Sequence, residues 1–404
     1  MIKIAVMGYG VVGSGVVELV GGHKELLKKA LGEEISVKKI LVRREYKECS
    51  VSELFTQKVE DIIEDDEISV VVEAIGGVNP ALNYVSWALE KGKSVVTSNK
   101  ELIATHGYEL MQLAIKNGVN LLFEASVGGA IPIIRPMNTC LAANNITKIQ
   151  GILNGTTNFI LSKMHSDKLS FSLALKQAQE LGYAESDPTA DVEGIDALRK
   201  ICILSSMAYG KHIYPKYITP QGISKISSED DEIAGGLNGV IKLIAYSKKQ
   251  EDGRAFLRVS PCFIKNEDIL SNVNDSFNAV KITADSAGDV VMYGRGAGSL
   301  PTASAVVADV INAVKDKNKR IYAPWQDGNE DDVSNIPPES QYFIRVLCAN
   351  DGQFDRLTKG LSAVKIGENR GFLSDVLTGQ QLKTLENSLK EEGVKLLSVY
   401  PVAD

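Results

Sequence analysis

Short apolar runs alternate with longer amphipathic stretches through roughly the first 125 residues. This pattern predicts strands over 2–7, 35–42, 70–74, 94–97 and 121–123, and helices over 11–29, 52–64, 80–91 and 100–117. Runs that are apolar throughout suit strands covered on both faces, and strand–helix alternation points to a parallel sheet. Asn79 before Pro80 reads as a helix start, because the Asn side chain can accept an orphan N–H and proline at the first helical position loses no bond. Farther along, 240–248 and 255–264 read as strands in a mixed sheet with helices spanning about 140 to 300, and a helix follows near 302–314. Asp, Asn, Pro and Gly crowd residues 323–340, which predicts a linker. The last segment reads as strand 342–348, short helix 355–361, strands 363–366 and 372–377, helix 380–392 and strand 394–402.

A chain of 404 residues exceeds what one core usually organises, so two or three domains are expected. The formal charge of -7 argues against a basic groove for nucleic acid and against an anionic membrane surface, which leaves small-molecule work. Cys49, Cys140, Cys202, Cys262 and Cys348 are scattered without paired spacing and read as free thiols in a reducing compartment. No stretch approaches 18 uninterrupted apolar residues and the start carries no targeting pattern, so a soluble cytoplasmic protein is expected.

The first predicted strand runs into Gly8-Tyr9-Gly10-Val11-Val12-Gly13. Gly8 would make the tight turn, Gly10 would let a pyrophosphate reach the backbone, and Gly13 would let helix and strand pack closely, as in a Rossmann-type dinucleotide site. The helix that follows, opening at Val11 and Val12, would face the phosphates with its positive end. No acidic residue ends the second strand to hold a ribose 2′-hydroxyl; Arg43 and Arg44 stand there instead. Arginine favours a 2′-phosphate and hence NADP, with NAD the alternative if these residues form a solvated turn or stack on adenine.

Residues 181–200 gather Glu185, Asp187, Asp191, Glu193 and Asp196 ahead of Lys200. On a helix beginning near Asp191, Asp196 and Lys200 lie four apart and share a face, while Ile195, Leu198, Ile201 and Cys202 form the apolar stripe. Spacing alone is equally met by an inconsequential surface ion pair.

This block, with Gly182, Tyr183, Glu185, Asp187, Pro188, Asp191, Gly194, Asp196 and Lys200 in register, closely resembles the signature segment of homoserine dehydrogenases. Four further segments resemble the family in the same order: Thr97-Ser-Asn-Lys100, Glu124 to Pro132, Gly151 to Asn158, and Tyr293 to Gly298 followed by Pro301-Thr302. The resemblance covers roughly residues 1 to 320, and because the chain opens on the nucleotide-binding strand it looks like the monofunctional form. It implies an NAD(P)-dependent oxidoreductase acting on a CH–OH group, which interconverts L-aspartate 4-semialdehyde and L-homoserine in threonine, methionine and isoleucine biosynthesis.

The resemblance also assigns roles. Lys200 matches the proton donor to the carbonyl oxygen, Lys100 lies beside nicotinamide and substrate, and Asp196 orients Lys200 and the substrate amine. Negative charge develops on the oxygen as hydride arrives, so a nearby ammonium can stabilise it and deliver the proton. Glu185, Asp191, Tyr183, Gly155 and Thr156 match substrate contacts. Ser98, Gly182, Gly296 and Gly298 join Gly8, Gly10, Val11, Val12, Gly13, Arg43 and Lys100 as cofactor contacts. Glu124, Val127, Gly129 and Ile131 match a loop that binds a monovalent cation mainly through backbone carbonyls; such hard oxygen donors suit sodium, the ion expected here, or potassium, and a plain glycine turn is the alternative.

The expected architecture is therefore α/β: a Rossmann-type nucleotide-binding domain over 1–140, completed by a helix at 301–320, with an α+β substrate and dimerisation domain over 141–320. A linker spans 321–340, and 341–404 form a small βαββαβ module similar to an ACT domain. The Asp351-Gly-Gln stretch replaces the usual Pro-Gly turn and long first helix of that module, so an amino-acid effector and a purely structural or oligomerising tail both stay open. By resemblance a homodimer or a higher homo-oligomer is expected. Three competing readings remain: a lactate- or malate-type dehydrogenase working through His23, His106, His165 or His212; an acyl-transfer dehydrogenase needing a nucleophilic cysteine; and a catalytically silent nucleotide sensor.

Overall fold

The computed structural model describes residues 1–44, 49–317 and 319–403. The N-terminal stretch gives β1 (Ile2–Met7), α1 (Val11–Gly22), α2 (Lys24–Leu31), β2 (Ile35–Leu41), β3 (Phe55–Thr56) and α3 (Glu60–Ile63), then β4 (Ile68–Glu73), α4 (Ala81–Glu90), β5 (Ser94–Thr97), α5 (Lys100–Lys116), β6 (Leu121–Leu122) and α6 (Ile134–Thr139). The middle supplies β7 (Ile146–Ile152), α7 (Gly155–Ser166), α8 (Phe171–Glu180), α9 (Thr189–Val192), α10 (Ile195–Tyr209), α11 (Ser228–Gly236), β8 (Gly239–Lys249), β9 (Ala255–Lys265) and β10 (Phe277–Ala284). The rest forms β11 (Gly288–Arg295), α12 (Ser299–Lys315), β12 (Tyr342–Leu347), α13 (Asp351–Leu357), β13 (Ala363–Ile366), β14 (Asn369–Leu373), α14 (Gly379–Glu391) and β15 (Lys395–Pro401). No helix among the described residues is long and apolar enough to cross a membrane.

The chain divides into two compact units, one of Met1–Ile146, Cys202–Pro215 and Thr283–Asn329, the other of Thr147–Ile201, Lys216–Ile282 and Glu330–Asp404. In the first unit six strands pair in parallel in the order β3-β2-β1-β4-β5-β6. The order reverses between β1 and β4, and ligands of such sheets bind at the carboxyl ends beside that reversal. Val70, Val71, Val72, Val95 and Val96 are buried, as expected of strands covered on both faces.

Several expected elements differ. The helix expected over 11–29 is interrupted at His23, after Gly21 and Gly22, which resist helix most after proline. The helix expected over 52–64 is reduced to α3, because Phe55 and Thr56 pair beside β2 instead. Pro80 takes the cap position of α4 with no side-chain bond, so Asn79 is not the cap.

In the second unit β10-β7-β8-β9 are consecutive neighbours in one sheet, and a four-stranded sheet has the order β13-β14-β12-β15. That second sheet is antiparallel, and the helices α13 and α14 accompany it around a core that includes Ile344, Val346, Phe354, Phe372 and Leu389. The short helix starts at Asp351, four residues earlier than expected, because Asn350 accepts the N–H of Gln353 and caps it. The expected linker is packed rather than free. Trp325 is buried against Phe123 and His212, while Ser334 donates its N–H to the carbonyl of Ala255.

Helix α11 lies between the two sheets of this unit, packed on β8 and on β12, β13 and β14. Ser227 and Asp230 close a capping box at its start. The Asp230 carboxylate then receives Arg345 Nε at 2.6 Å and the Ser398 hydroxyl at 2.5 Å, all in buried surroundings. Removing one partner of such a pair strands the other charge, which costs about 3–5 kcal/mol. Asp230→Ala is expected to lower the urea midpoint of unfolding accordingly, and loss of under 1 kcal/mol would refute the assignment.

Candidate active site

The glycine turn after β1 can be tested position by position. Gly8 has φ +103°, and a Cβ there would lie 2.6 Å from the carbonyl oxygen of Ala74. A Cβ on Gly13 would collide with the carbonyl of Gly8, so this glycine lets α1 sit against the strand end. Gly10, by contrast, has nothing within 4 Å, which leaves its backbone open to an approaching group. Around it lies a cleft of about 1020 Å³ lined by Gly8, Gly10, Arg43, Arg44, Ile75 and Tyr84, among others. Its size and its open glycine fit a dinucleotide, and two exposed arginines stand at its rim.

At the sheet's carboxyl end α5 begins with Lys100. Asn99 caps the helix by accepting the N–H of Leu102 at 3.0 Å, and the Lys100 N–H reaches the carbonyl of Ser98. Ser98 and Lys100 are half-buried. Gly296 approaches Gly129 so closely that a Cβ on the latter would lie 2.5 Å from the Gly296 carbonyl, while Gly298 takes φ +121° just before α12. All these residues belong to the first unit.

The second unit builds a separate polar cluster. Lys200 Nζ lies 2.9 Å from Asp196 Oδ2 and donates to the carbonyl of Leu153 at 2.7 Å, with both side chains buried. Asn154 Nδ2 donates to Asp191 Oδ1 at 2.7 Å and to Asp196 Oδ2 at 2.9 Å. Its Oδ1 accepts the Thr157 N–H and caps α7. Sequence reasoning missed Asn154, because an Asn before a Gly-Thr helix start is fully accounted for as a cap; here the other end of the same amide joins two carboxylates. The helix carrying Asp196 and Lys200 begins at Ile195, not near Asp191, since Gly194 at φ +79° separates it from the short α9.

Thr156 donates its hydroxyl to the carbonyl of Tyr183 at 2.6 Å, and the Tyr183 ring lies 4.9 Å from that of Phe159. Tyr183, Gly182 and Glu185 are exposed, while the fold brings Asp191, Asp196, Lys200 and the 153–156 loop together. Gly155 is pressed by the carbonyl of Ser276, 2.8 Å from where a Cβ would stand. Behind this loop the buried Lys242 ammonium ties α7 to the 273–274 turn, donating to Asn158 Oδ1 at 3.1 Å and to the Val273 carbonyl at 2.7 Å. Burial pushes its pKa down to about 8, against the upward pull of Asp275 and Asp231.

The Glu124 carboxylate has a structural task of its own. Its carboxylate accepts the N–H groups of Ile133, Ile134 and Arg135 at 2.6–2.8 Å, anchoring the start of α6. Asp309 accepts the Glu124 N–H and pairs with Arg135 at 2.8 Å; burial raises its carboxyl to about 7. The carbonyls of Val127, Gly129 and Ile131 accept no hydrogen bond from the described residues. Hard oxygen donors of that kind suit a monovalent cation, whereas the Glu124 side chain is already used.

Two residues of the competing chemistries, His212 and Cys202, are already committed. His212 is buried, accepts the Tyr108 N–H through Nδ1 and donates from Nε2 to the Ala104 carbonyl, so both ring nitrogens are committed. Burial holds its pKa down. Cys202 is buried and its thiol is pushed far up, which makes it no nucleophile.

Residues 132–311 match the family model described as homoserine dehydrogenase, and residues 8–124 match that of the homoserine dehydrogenase NAD-binding domain. A homoserine dehydrogenase of Lactococcus lactis subsp. lactis is 38% identical over 428 residues, covering 99% of each chain. The crystal structure of a homoserine dehydrogenase from Thiobacillus denitrificans is similar with TM-score 0.87 at 33% identity, covering 100% of this chain and 98% of that one. A hyperthermophilic archaeal homoserine dehydrogenase in complex with NADPH gives 0.65 at 27% identity, over 78% of this chain and 98% of that one.

Two outcomes are expected. Gly13→Ala should lower thermal stability by several degrees, while Gly10→Ala should melt normally and bind cofactor more weakly; the reverse ranking would contradict the packing argument. Lys242 loses its proton near pH 8 when folded and near 10.5 when unfolded, so its contribution to stability rises with pH across that window, by roughly 3 kcal/mol. Urea titrations at pH 8 and 10 should show Lys242→Met lacking that rise; parallel curves would exclude it.

Proposed function

The chain belongs to the homoserine dehydrogenase family, and from that premise we propose how its residues divide the reaction. It is an NAD(P)-dependent oxidoreductase that interconverts L-aspartate 4-semialdehyde and L-homoserine. The bound nicotinamide supplies or takes up the hydride. Lys200 gives its proton to the aldehyde oxygen during reduction and, when neutral, accepts the hydroxyl proton of homoserine in the opposite direction. The observation that carries this role is the buried ammonium held 2.9 Å from Asp196 and 2.7 Å from the Leu153 carbonyl. A side chain fixed at two points loses little orientation when the oxygen arrives.

Asp196 and Asn154 hold Lys200 and, with Asp191, offer acceptors for the substrate ammonium; Gly155, Thr156, Tyr183 and Glu185 complete the substrate contacts. Lys100 acts beside the nicotinamide from the start of α5. The dinucleotide is NADP in our reading, supported by Arg43 and Arg44 in the cleft and by the NADPH complex of the archaeal relative. A sodium ion bound by backbone carbonyls of the 124–131 loop is supported by the uncommitted carbonyls of Val127, Gly129 and Ile131. A homodimer through the β11 edge is supported by its half-exposed Val290, Val291 and Met292. Five free thiols support a reducing compartment such as the cytoplasm. For the C-terminal module, the β13-β14-β12-β15 order supports an ACT-like fold, whose role is either to bind an amino-acid effector or to be structural or oligomerising.

Homoserine oxidation followed by absorbance with NADP and with NAD tests the reading. Lys200→Ala should lower kcat by roughly 10²–10⁴-fold with substrate binding retained. Arg43→Ala should raise the KM for NADP more than that for NAD. Equal kinetics in native and Lys200→Ala protein would eliminate the proposed acid.

A further inference from the structure

One fully buried carboxylate in the first unit is used by none of the steps above. Glu73 ends β4 after the apolar run Val70-Val71-Val72, at 0% exposure and directly opposite Thr97 on β5. Its Oε1 accepts the N–H groups of Ile75 at 2.8 Å and Gly76 at 3.1 Å, and its Oε2 receives the Thr97 hydroxyl at 2.5 Å. No Lys, Arg or His is among its described partners. A valine would fill this sheet position without desolvating a charge, so retention of a carboxylate asks for a reason.

The reason lies in what the three bonds connect. Gly76 and Gly77 take φ +80° and +69°, a turn that aims successive N–H groups inward at Oε1. Ala74, Ile75 and Gly76 of this same turn line the dinucleotide cleft. On the other side, the Thr97 oxygen accepts the N–H of Asn99 at 2.9 Å, and Asn99 caps α5 where Lys100 begins. Asn99 Nδ2 then returns to the carbonyl of Gly77 at 2.6 Å. The hydrogen bonds form a closed circuit, Glu73 to Thr97 to Asn99 to the 75–77 turn and back to Glu73. Chains of hydrogen bonds in a low dielectric reinforce one another and leave few alternative arrangements.

We propose that Glu73 is a positioning residue of the cofactor site, which fixes the cofactor-lining 75–77 turn and the start of the Lys100 helix through one carboxylate. The Lys100 half of this inference rests on the reading of Lys100 given above; the cofactor half does not. Glutamine can replace the acid in this circuit: its amide oxygen accepts the two backbone N–H groups, and its NH₂ donates to Thr97 Oγ1, which still accepts from Asn99. Alanine cannot.

Native protein, Glu73→Ala, Glu73→Gln and Thr97→Val are compared by NADPH fluorescence titration and by steady-state homoserine oxidation, with circular dichroism for the fold. Glu73→Ala should weaken NADPH binding about tenfold or more and lower kcat, while the KM for homoserine stays within about twofold. Glu73→Gln should recover NADPH binding to within about threefold of native. Thr97→Val should keep NADPH binding, because the two backbone bonds to Glu73 remain, yet lower kcat by loosening the Lys100 helix. A folded Glu73→Ala protein with native NADPH affinity and kcat, or a Glu73→Gln protein as impaired as Glu73→Ala, would overturn the proposal. Should Glu73→Ala fail to fold, Thr97→Val and Glu73→Gln decide: native kcat in the former or tenfold weaker NADPH binding in the latter overturns it. Native turnover in Lys100→Ala alongside weakened NADPH binding in Glu73→Ala would remove only the role of Lys100.

Discussion

An ammonium withdrawn from water must be met by acceptors or surrender its proton, and that constraint organises the second unit around Lys200. Asp196 stands one helical turn away on α10, and the Leu153 carbonyl arrives from the end of β7. Asn154, the next residue along, binds Asp196 and Asp191 with one end of its amide and starts α7 with the other. The strand end, two helices and the acidic loop are thereby referred to a single point. Gly155 and Thr156, in the first turn of α7, inherit their position from the same amide.

The first unit uses carboxylates in a complementary way. Glu73 and Glu124 are both buried acids whose acceptors are filled largely by backbone N–H groups, one gathering a glycine turn and the other starting α6. Backbone amides are fixed dipoles, so an acid bound by several of them stabilises the loop geometry without a mobile cation. The Asp309–Arg135 pair beside Glu124 behaves less comfortably. Burial raises the Asp309 carboxyl to about 7 despite the guanidinium at 2.8 Å.

Much of this was legible in the residues, for physical reasons that differ from element to element. The buried valine strands stand out because both of their faces exclude water, and the roles of Gly8 and Gly13 follow from backbone geometry that no other residue tolerates at those points. The 3.6-residue period put Asp196 and Lys200 on one face correctly, yet it misjudged the helix start, because the interruption depends on Gly194 adopting a left-handed conformation that the apolar spacing does not register. Composition failed at 323–340 for a related reason: one buried tryptophan, Trp325, outweighs ten polar neighbours in deciding whether a segment packs. Asn154 and Glu73 stayed hidden because each side chain joins neighbouring backbone N–H groups to partners distant in sequence, which no local pattern records.

Helix α11 carries a temporal consequence. It is translated well before the residues that complete its surroundings: Arg345, Gly371 and Ser398 follow it by more than a hundred positions, and Ile233 presses directly on Gly371. A nascent chain therefore holds Asp230 and Ile233 without these partners until residues 345–398 have been made. The second unit therefore cannot complete this packing until residue 398 has been made, which places the closing of its last sheet among the late steps of folding.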